Sequence, residues 1–249
     1  MITKRIPLYE QLEIETKASC NRVCEGCIRN SHPDRDAVKP WFNNDAQMET
    51  STFQRLLREA WDMGFRGTVC LQHYNEPLQD PRIGEFGALV KETGFPYLFT
   101  CTNADFMDES RAAELDGIFD ELLIALYMSE PTKGRREAWL RTLFKKTKLT
   151  FTGGVYIATH FSPIFPVDWL AKRHARNPCS EPLRRLIINH RGDMLMCCDD
   201  MTGNFNLGNV HEYSLEQLWY GERHQDMVLA LQKRDGRAVH PHCLSCPRP

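Results

Sequence analysis

The chain has 249 residues, 42% of them hydrophobic, with 31 basic against 33 acidic side chains and a formal net charge of −2. That length suits one barrel-sized domain, alone or with a small appendage, and the balanced charge excludes a protein that holds polyanions by bulk electrostatics. No run approaches the ~18 apolar residues of a membrane span, and no apolar signal core follows Lys4 and Arg5, so the expected setting is soluble and cytoplasmic, with neither membrane nor nucleic acid as partner.

Leu12-Glu13-Ile14-Glu15 alternates as a half-buried strand does, and the first strand is predicted over residues 12–16. A cysteine-bearing loop follows. Phe53, Leu56, Leu57 and Ala60 then recur at helical spacing after Thr50 and Ser51, with Gly64 placed as a C-cap. Further strands are predicted at 67–72, 97–102, 122–127 and 149–158, separated by helices at 83–93, 109–115 and 135–146. Strands alternating with amphipathic helices mean βα units and a parallel sheet. About five to six strands fall short of the eight that close a barrel. The fold class is therefore α/β, an open, partial TIM-like barrel.

Beyond residue 158 the texture changes. Residues 161–166 read as a loop and 173–178 as a basic linker. Leu186-Ile187-Ile188, a turn at His190-Arg191-Gly192-Asp193 and Met194-Leu195-Met196 read as a β-hairpin. Ser214 and Gln217 form a capping box for a helix carrying Leu215, Leu218 and Trp219. Two domains are expected, residues 1–175 and 176–249.

Ten cysteines without a secretory signal point to metal rather than disulfides. Cys20, Cys24 and Cys27 form a CxxxCxxC triplet after the first strand. A four-iron cube that only carries electrons takes four thiolates, so three leave one iron open to another ligand. The competing reading is a zinc site completed by a distant residue such as His32.

The triplet resembles that of the radical S-adenosylmethionine superfamily. The resemblance implies a [4Fe–4S] cluster whose open iron binds S-adenosylmethionine, and reductive cleavage of that cofactor to a 5′-deoxyadenosyl radical that takes hydrogen from an unactivated carbon. It implies an external reductant such as flavodoxin or ferredoxin. Gly26 departs from the aromatic residue that many members carry before the third cysteine. The run Tyr74-Asn75-Glu76-Pro77 stands where the family has Gly-Gly-Glu-Pro, which implies cofactor contacts from Tyr74, Asn75 and Glu76. Cys101-Thr102-Asn103 also resembles the family and adds Asn103 to that set.

Cys179, Cys197, Cys243 and Cys246 form the second group, with Gly192 five residues before Cys197 and Leu207-Gly208-Asn209-Val210 between. A structural zinc ribbon is one reading of four such thiolates. The group resembles the twitch subdomain, a shortened relative of the SPASM domain. The resemblance implies a second, auxiliary [4Fe–4S] cluster, fully ligated, and is nearest to enzymes of sugars and aminocyclitols.

Cys198 follows a ligand but has no ligand role in that pattern. Consecutive strand residues face opposite ways, so Cys198 is expected to face a substrate cavity if Cys197 faces the cluster. A thiol there can return a hydrogen atom to a carbon radical. The expected reaction is thus inversion of a carbon centre on a polar, sugar-like or aminocyclitol substrate, an epimerase with Cys198 as donor. The alternatives are oxidation of a secondary alcohol by a dehydrogenase, radical modification of a peptide, or a zinc scaffold without activity. Asp199, Asp200, Tyr127, Tyr156 and His160 are the candidate substrate contacts.

Overall fold

The computed structural model describes residues 2–42, 44–152 and 165–249. Among these residues seven strands form one sheet: β1 (Gln11–Ile14), β2 (Thr68–Cys70), β3 (Tyr97–Thr102), β4 (Glu121–Ala125), β5 (Lys148–Thr152), β6 (Arg185–Ile188) and β7 (Met194–Leu195), in the order β5-β4-β3-β2-β1-β6-β7. Strands β1 to β6 are mutually parallel, and β7 returns antiparallel along β6. Among the described residues the two ends of this sheet are not paired with each other, so the barrel is open.

Helices Thr50–Asp62, Ile83–Thr93, Glu109–Leu115 and Thr132–Leu143 make the crossovers between parallel strands. They cover one face of the sheet. Leu12 and Ile14 of β1, Val69, Leu98, Leu122, Leu186 and Ile188 are fully buried in one core with Phe53, Leu56 and Phe86 from the helices. The Phe53 and Phe86 rings lie 4.4 Å apart, and each such side chain contributes about 1.5–3 kcal/mol when fully buried.

Side chains alternate across a strand, so residues one place along from this core face the other way. Glu13, Cys70, Phe99, Cys101, Leu123 and Arg185 do so, and all line one cavity. The parallel register puts Glu13 beside Cys70 on one side and Ile187 on the other. The concave face of the sheet is therefore polar at its centre, where β1 is flanked by β2 and β6.

The chain ends meet. Trp219 is fully buried, donates from Nε1 to the Pro7 carbonyl at 3.0 Å and packs edge-on against Tyr9. The Ser214–Gln217 capping box forms as expected and opens helix Leu215–Trp219.

Several boundaries move. The fourth helix runs Thr132–Leu143 rather than 135–146 and takes in Gly134 despite that residue's low helix propensity. Strand β4 ends at Ala125, leaving Tyr127 two residues beyond it. The hairpin joins the main sheet, β6 lying directly against β1. The predicted strand at 149–158 is seen as Lys148–Thr152, and its remainder, with Tyr156 and His160, lies outside the described residues.

Candidate active site

In a parallel sheet every loop that follows a strand emerges at the same end. The loop after β1 carries Cys20, Cys24 and Cys27, and the loop after β2 carries Tyr74, Asn75 and Glu76. The two are tied where the Glu76 amide donates to the Ser19 carbonyl at 2.9 Å. Asn103, just past β3, donates from Nδ2 to Asn21 at 2.9 Å. All of these residues except Ser19 and Asn21 line a cavity of about 520 Å³, a usual size for a small-molecule site.

Glu76 is the polar centre of this mouth. Its Oε1 accepts from Leu78 N at 3.1 Å and Thr102 Oγ1 at 2.5 Å, and its Oε2 from Asn103 N at 2.8 Å. Burial raises its pKa to about 6 even though these three hydrogen bonds pull the other way. The side-chain nitrogen Nδ2 of buried Asn75 has no partner among the described residues. A buried carboxylate with an acceptor site to spare, beside an unpaired donor, fits an α-amino acid group.

Burial raises the pKa values of Cys20, Cys24 and Cys27, so a metal must displace their protons to bind. Among the described residues, no three His, Cys, Asp or Glu side chains converge closely enough for a single ion.

The second cysteine group is assembled by the C-terminal segment. The Cys179 amide donates to the Leu231 carbonyl at 2.8 Å, and the short helix Pro241–Leu244 carries Cys243. Burial, followed by the nearby Cys179 and Cys246, pushes the Cys243 thiol up to about 12. Asp199 bridges the group: its amide lies 3.5 Å from Cys197 Sγ, and its Oδ2 is 4.0 Å from Cys246 Sγ. Arg237 is buried, donating to the carbonyls of Asn177 at 3.0 Å and Arg248 at 2.8 Å. The sequence gives no signal for that role, because the carbonyls it joins are far apart in the chain.

Cys198 lines the same cavity as Cys20, Cys24 and Cys27, and Cys197 does not. Strand β7 stops at Leu195, so a turn rather than strand alternation divides the two thiols. The Cys198 carbonyl accepts from the Tyr74 hydroxyl, and its sulfur accepts from Arg248. Burial pushes this thiol up to about 12, although the Arg248 charge opposes the shift.

The other sequence candidates divide. Tyr127 lines the cavity, with the Arg22 guanidinium 5.1 Å from its ring centre. Asp200 is fully buried and lies outside the cavity lining, its carboxylate accepting from Met196 N at 2.9 Å and Asn204 N at 2.7 Å. Asp199 faces a second cavity, beside His32, His240 and His242. Glu13, His73, Arg22, Arg185 and Arg248 line the cavity at the cysteine mouth without having been singled out from the sequence.

Residues 179–247 match the SPASM family, described as an iron-sulfur cluster-binding domain. Open barrel, three-cysteine mouth and this C-terminal domain together support a radical S-adenosylmethionine protein of the twitch/SPASM-like group, and with it S-adenosylmethionine and four-iron clusters as cofactors. Within that group the chain is similar to an S-adenosyl-L-methionine-dependent 2-deoxy-scyllo-inosamine dehydrogenase of Niallia circulans, 19% identical over 245 residues, covering 96% of this chain and 93% of the relative. Its fold matches the crystal structure of BtrN in complex with AdoMet and 2-DOIA at a TM-score of 0.78, with 18% identity over 98% of this chain and 94% of that one. Streptococcus suis SuiB bound to its precursor peptide SuiA matches at 0.63, with 14% identity over 96% of this chain and 70% of that one. Among the described residues no helix is long and apolar enough to cross a membrane.

Proposed function

We propose that the protein oxidises a secondary carbinol of a small aminocyclitol or similar polyol, acting as a radical dehydrogenase. The observation that carries this reading is the shared cavity. One space of about 520 Å³ is bordered by Cys20, Cys24 and Cys27 of the barrel and by Cys198 and Arg248 of the C-terminal segment. The likeness to a dehydrogenase along nearly the whole chain supports the same reaction. When bound, the cofactors supply removal of one hydrogen atom from carbon and, through the auxiliary cluster, a sink for one electron.

The chain's own residues bind and orient. Cys20, Cys24 and Cys27 hold the radical-generating cluster, and Glu76, with Asn75, Tyr74 and Asn103, receives the amino acid end of S-adenosylmethionine. Cys179, Cys197, Cys243 and Cys246 hold the auxiliary cluster. Tyr127 and Arg22 form a cavity wall, and Arg248 closes it on the side of Cys198.

Inversion of the carbon centre is a second reading, favoured by the position of the Cys198 thiol on the cavity wall. One experiment separates the two. Reconstituted enzyme is given 2-deoxy-scyllo-inosamine and related aminocyclitols in deuterated water, under reducing, oxygen-free conditions. Oxidation yields a ketone with no new carbon-bound deuterium. An inverted product carrying one solvent deuterium, lost in Cys198→Ala, overturns the dehydrogenase in favour of the epimerase.

A further inference from the structure

Cluster cysteines aside, the charges that the cavity at the cysteine mouth leaves accessible are guanidinium groups. Arg22, Arg185 and Arg248 line it and are half-buried, whereas its two carboxylates, Glu13 and Glu76, are buried and engaged. Glu13 meets His73 Nδ1 at 2.6 Å, Gln11 Nε2 at 3.1 Å and Arg185 Nη1 at 3.8 Å. Glu76 accepts from three donors at the cofactor end. Two acids outside the lining are paired with the same arginines, Asp105 with Arg22 at 2.5 Å and Glu181 with Arg185 at 3.2 Å. Residues 153–164 contain no Asp or Glu, so that stretch has no carboxylate to offer.

Two of the three arginines meet at Cys198. Arg248 donates from Nη1 to the Cys198 sulfur, not to a cysteine assigned to the auxiliary cluster, and it makes no ion pair among the described residues. Burial pushes the Cys198 thiol up to about 12 against the nearby charges of Arg248 and Arg185. A neutral thiol is a weak acceptor, so the Arg248 charge stays unmatched, which is costly in a half-buried position. Arg248 Nη2 and both terminal nitrogens of Arg185 make no hydrogen bond among the described residues, and none of the three is sealed from solvent. The Arg185 side chain is 34% exposed. The geometry points to Arg185 and Arg248 as an oxyanion-binding fork beside Cys198, and so to an acidic polyol, a phosphate ester or a carboxylate, as substrate. This narrows the substrate of the dehydrogenase reading and rests on that reading for the reaction.

A guanidinium presents its N–H groups in a plane that matches two oxygens of a carboxylate or phosphate. Arg22 suits that task less, being held by Asp105 and by the Tyr127 carbonyl at 3.3 Å. The floor of the cavity takes Cys70, Phe99, Cys101 and Leu123 from the sheet. Burial raises the pKa values of both thiols, that of Cys101 to about 12, so the floor is uncharged. A bound polyol then meets its charged partners on the Cys198 wall alone. A substrate amine finds no unmatched carboxylate on that wall and gains nothing from it, whereas an oxyanion gains two charge-assisted contacts.

The test is anaerobic equilibrium dialysis of labelled probes against reconstituted holoenzyme with S-adenosylmethionine bound. Myo-inositol 1-phosphate is compared with myo-inositol, glucuronate with glucose, and 2-deoxy-scyllo-inosamine serves as the amine. At least one acid is expected to bind about 10- to 100-fold more tightly than its neutral parent. Preference for the phosphate alone assigns an ester, and for glucuronate alone a carboxylate. Arg248→Gln and Arg185→Gln each lose most of that advantage, and Arg248→Lys, which keeps the charge but not the fork, retains part of it. Arg184→Gln, an exposed neighbour outside the cavity lining, leaves the advantage intact, and thermal unfolding checks the fold of each variant. Acids that bind no better than their neutral parents, an amine that binds more tightly than both acids, or an advantage that survives in both Gln variants overturns the fork. The bound acid is then incubated under reducing conditions and assayed for ketone. Tight binding without ketone overturns the dehydrogenase reading and leaves the fork standing.

Discussion

Replacing Glu76 by Gln tests the cofactor mouth at its most constrained point. Three donors already engage its carboxylate, two on Oε1 and one on Oε2, leaving one acceptor site on Oε2. An ammonium placed there makes a charge-assisted hydrogen bond, the kind that contributes about 1.5–3 kcal/mol. Glu76→Gln is therefore expected to weaken S-adenosylmethionine binding by roughly 10- to 150-fold, since 1.4 kcal/mol is a factor of about ten. A second signature comes from titration. Burial holds Glu76 at about 6 in the free protein, so below that pH the cofactor meets a neutral acid and must expel its proton to pair with it. Affinity therefore falls as pH drops through about 6, because the cofactor then has to expel the Glu76 proton. Glu76→Gln removes this dependence. The assay is anaerobic equilibrium dialysis of labelled cofactor against cluster-loaded protein at each pH, with thermal unfolding confirming the variant's fold. Equal affinities, or the same pH slope in both proteins, refute the argument.

Three further outcomes are expected. If Cys197 is a ligand of the auxiliary cluster, as proposed, Cys197→Ala lowers iron from about eight to about four per chain while reductive cofactor cleavage persists, as iron analysis and 5′-deoxyadenosine assays would show. Gly208→Ala places a Cβ 2.7 Å from Leu218 Cδ2 at a backbone φ of +113°, and unfolding experiments should show a loss of about 1–3 kcal/mol. Burial alone would raise the Glu15 pKa, but the His190 hydrogen bond and charge outweigh it, and the result is a lowered value. Its stabilisation is accordingly present above the usual carboxylate range and fades as pH falls through it. Glu15→Ala is expected to cost about 3–5 kcal/mol at pH 7 by urea unfolding, with a smaller loss in acid.

Much of the fold is visible in the chain because its signals are short-range. Alternation of βα units, the capping box at Ser214 and the spacing of Cys20, Cys24 and Cys27 each span a few residues, and each describes its own segment. The polar face of β1 shows where such signals stop. In the sequence, Glu13 and Glu15 look like the wetted side of an amphipathic strand. In the structure the sheet curves, strands β2 and β6 flank β1, and both carboxylates are buried beside histidines more than fifty residues away. Asp200 is the opposite case: two backbone amides already occupy the carboxylate that the sequence offered to a substrate.

By itself, then, the sequence determined the α/β class, the order of strands and helices, and two cysteine groups able to hold iron. Ligand spacing and side-chain periodicity are properties of neighbours in the chain. Only the tertiary structure decided that Cys198, Arg248, Glu13 and His73 border the same cavity as Cys20, Cys24 and Cys27. A cavity is made where separate strand ends converge, and burial there, not residue type, decides which polar groups have an atom left over for a substrate.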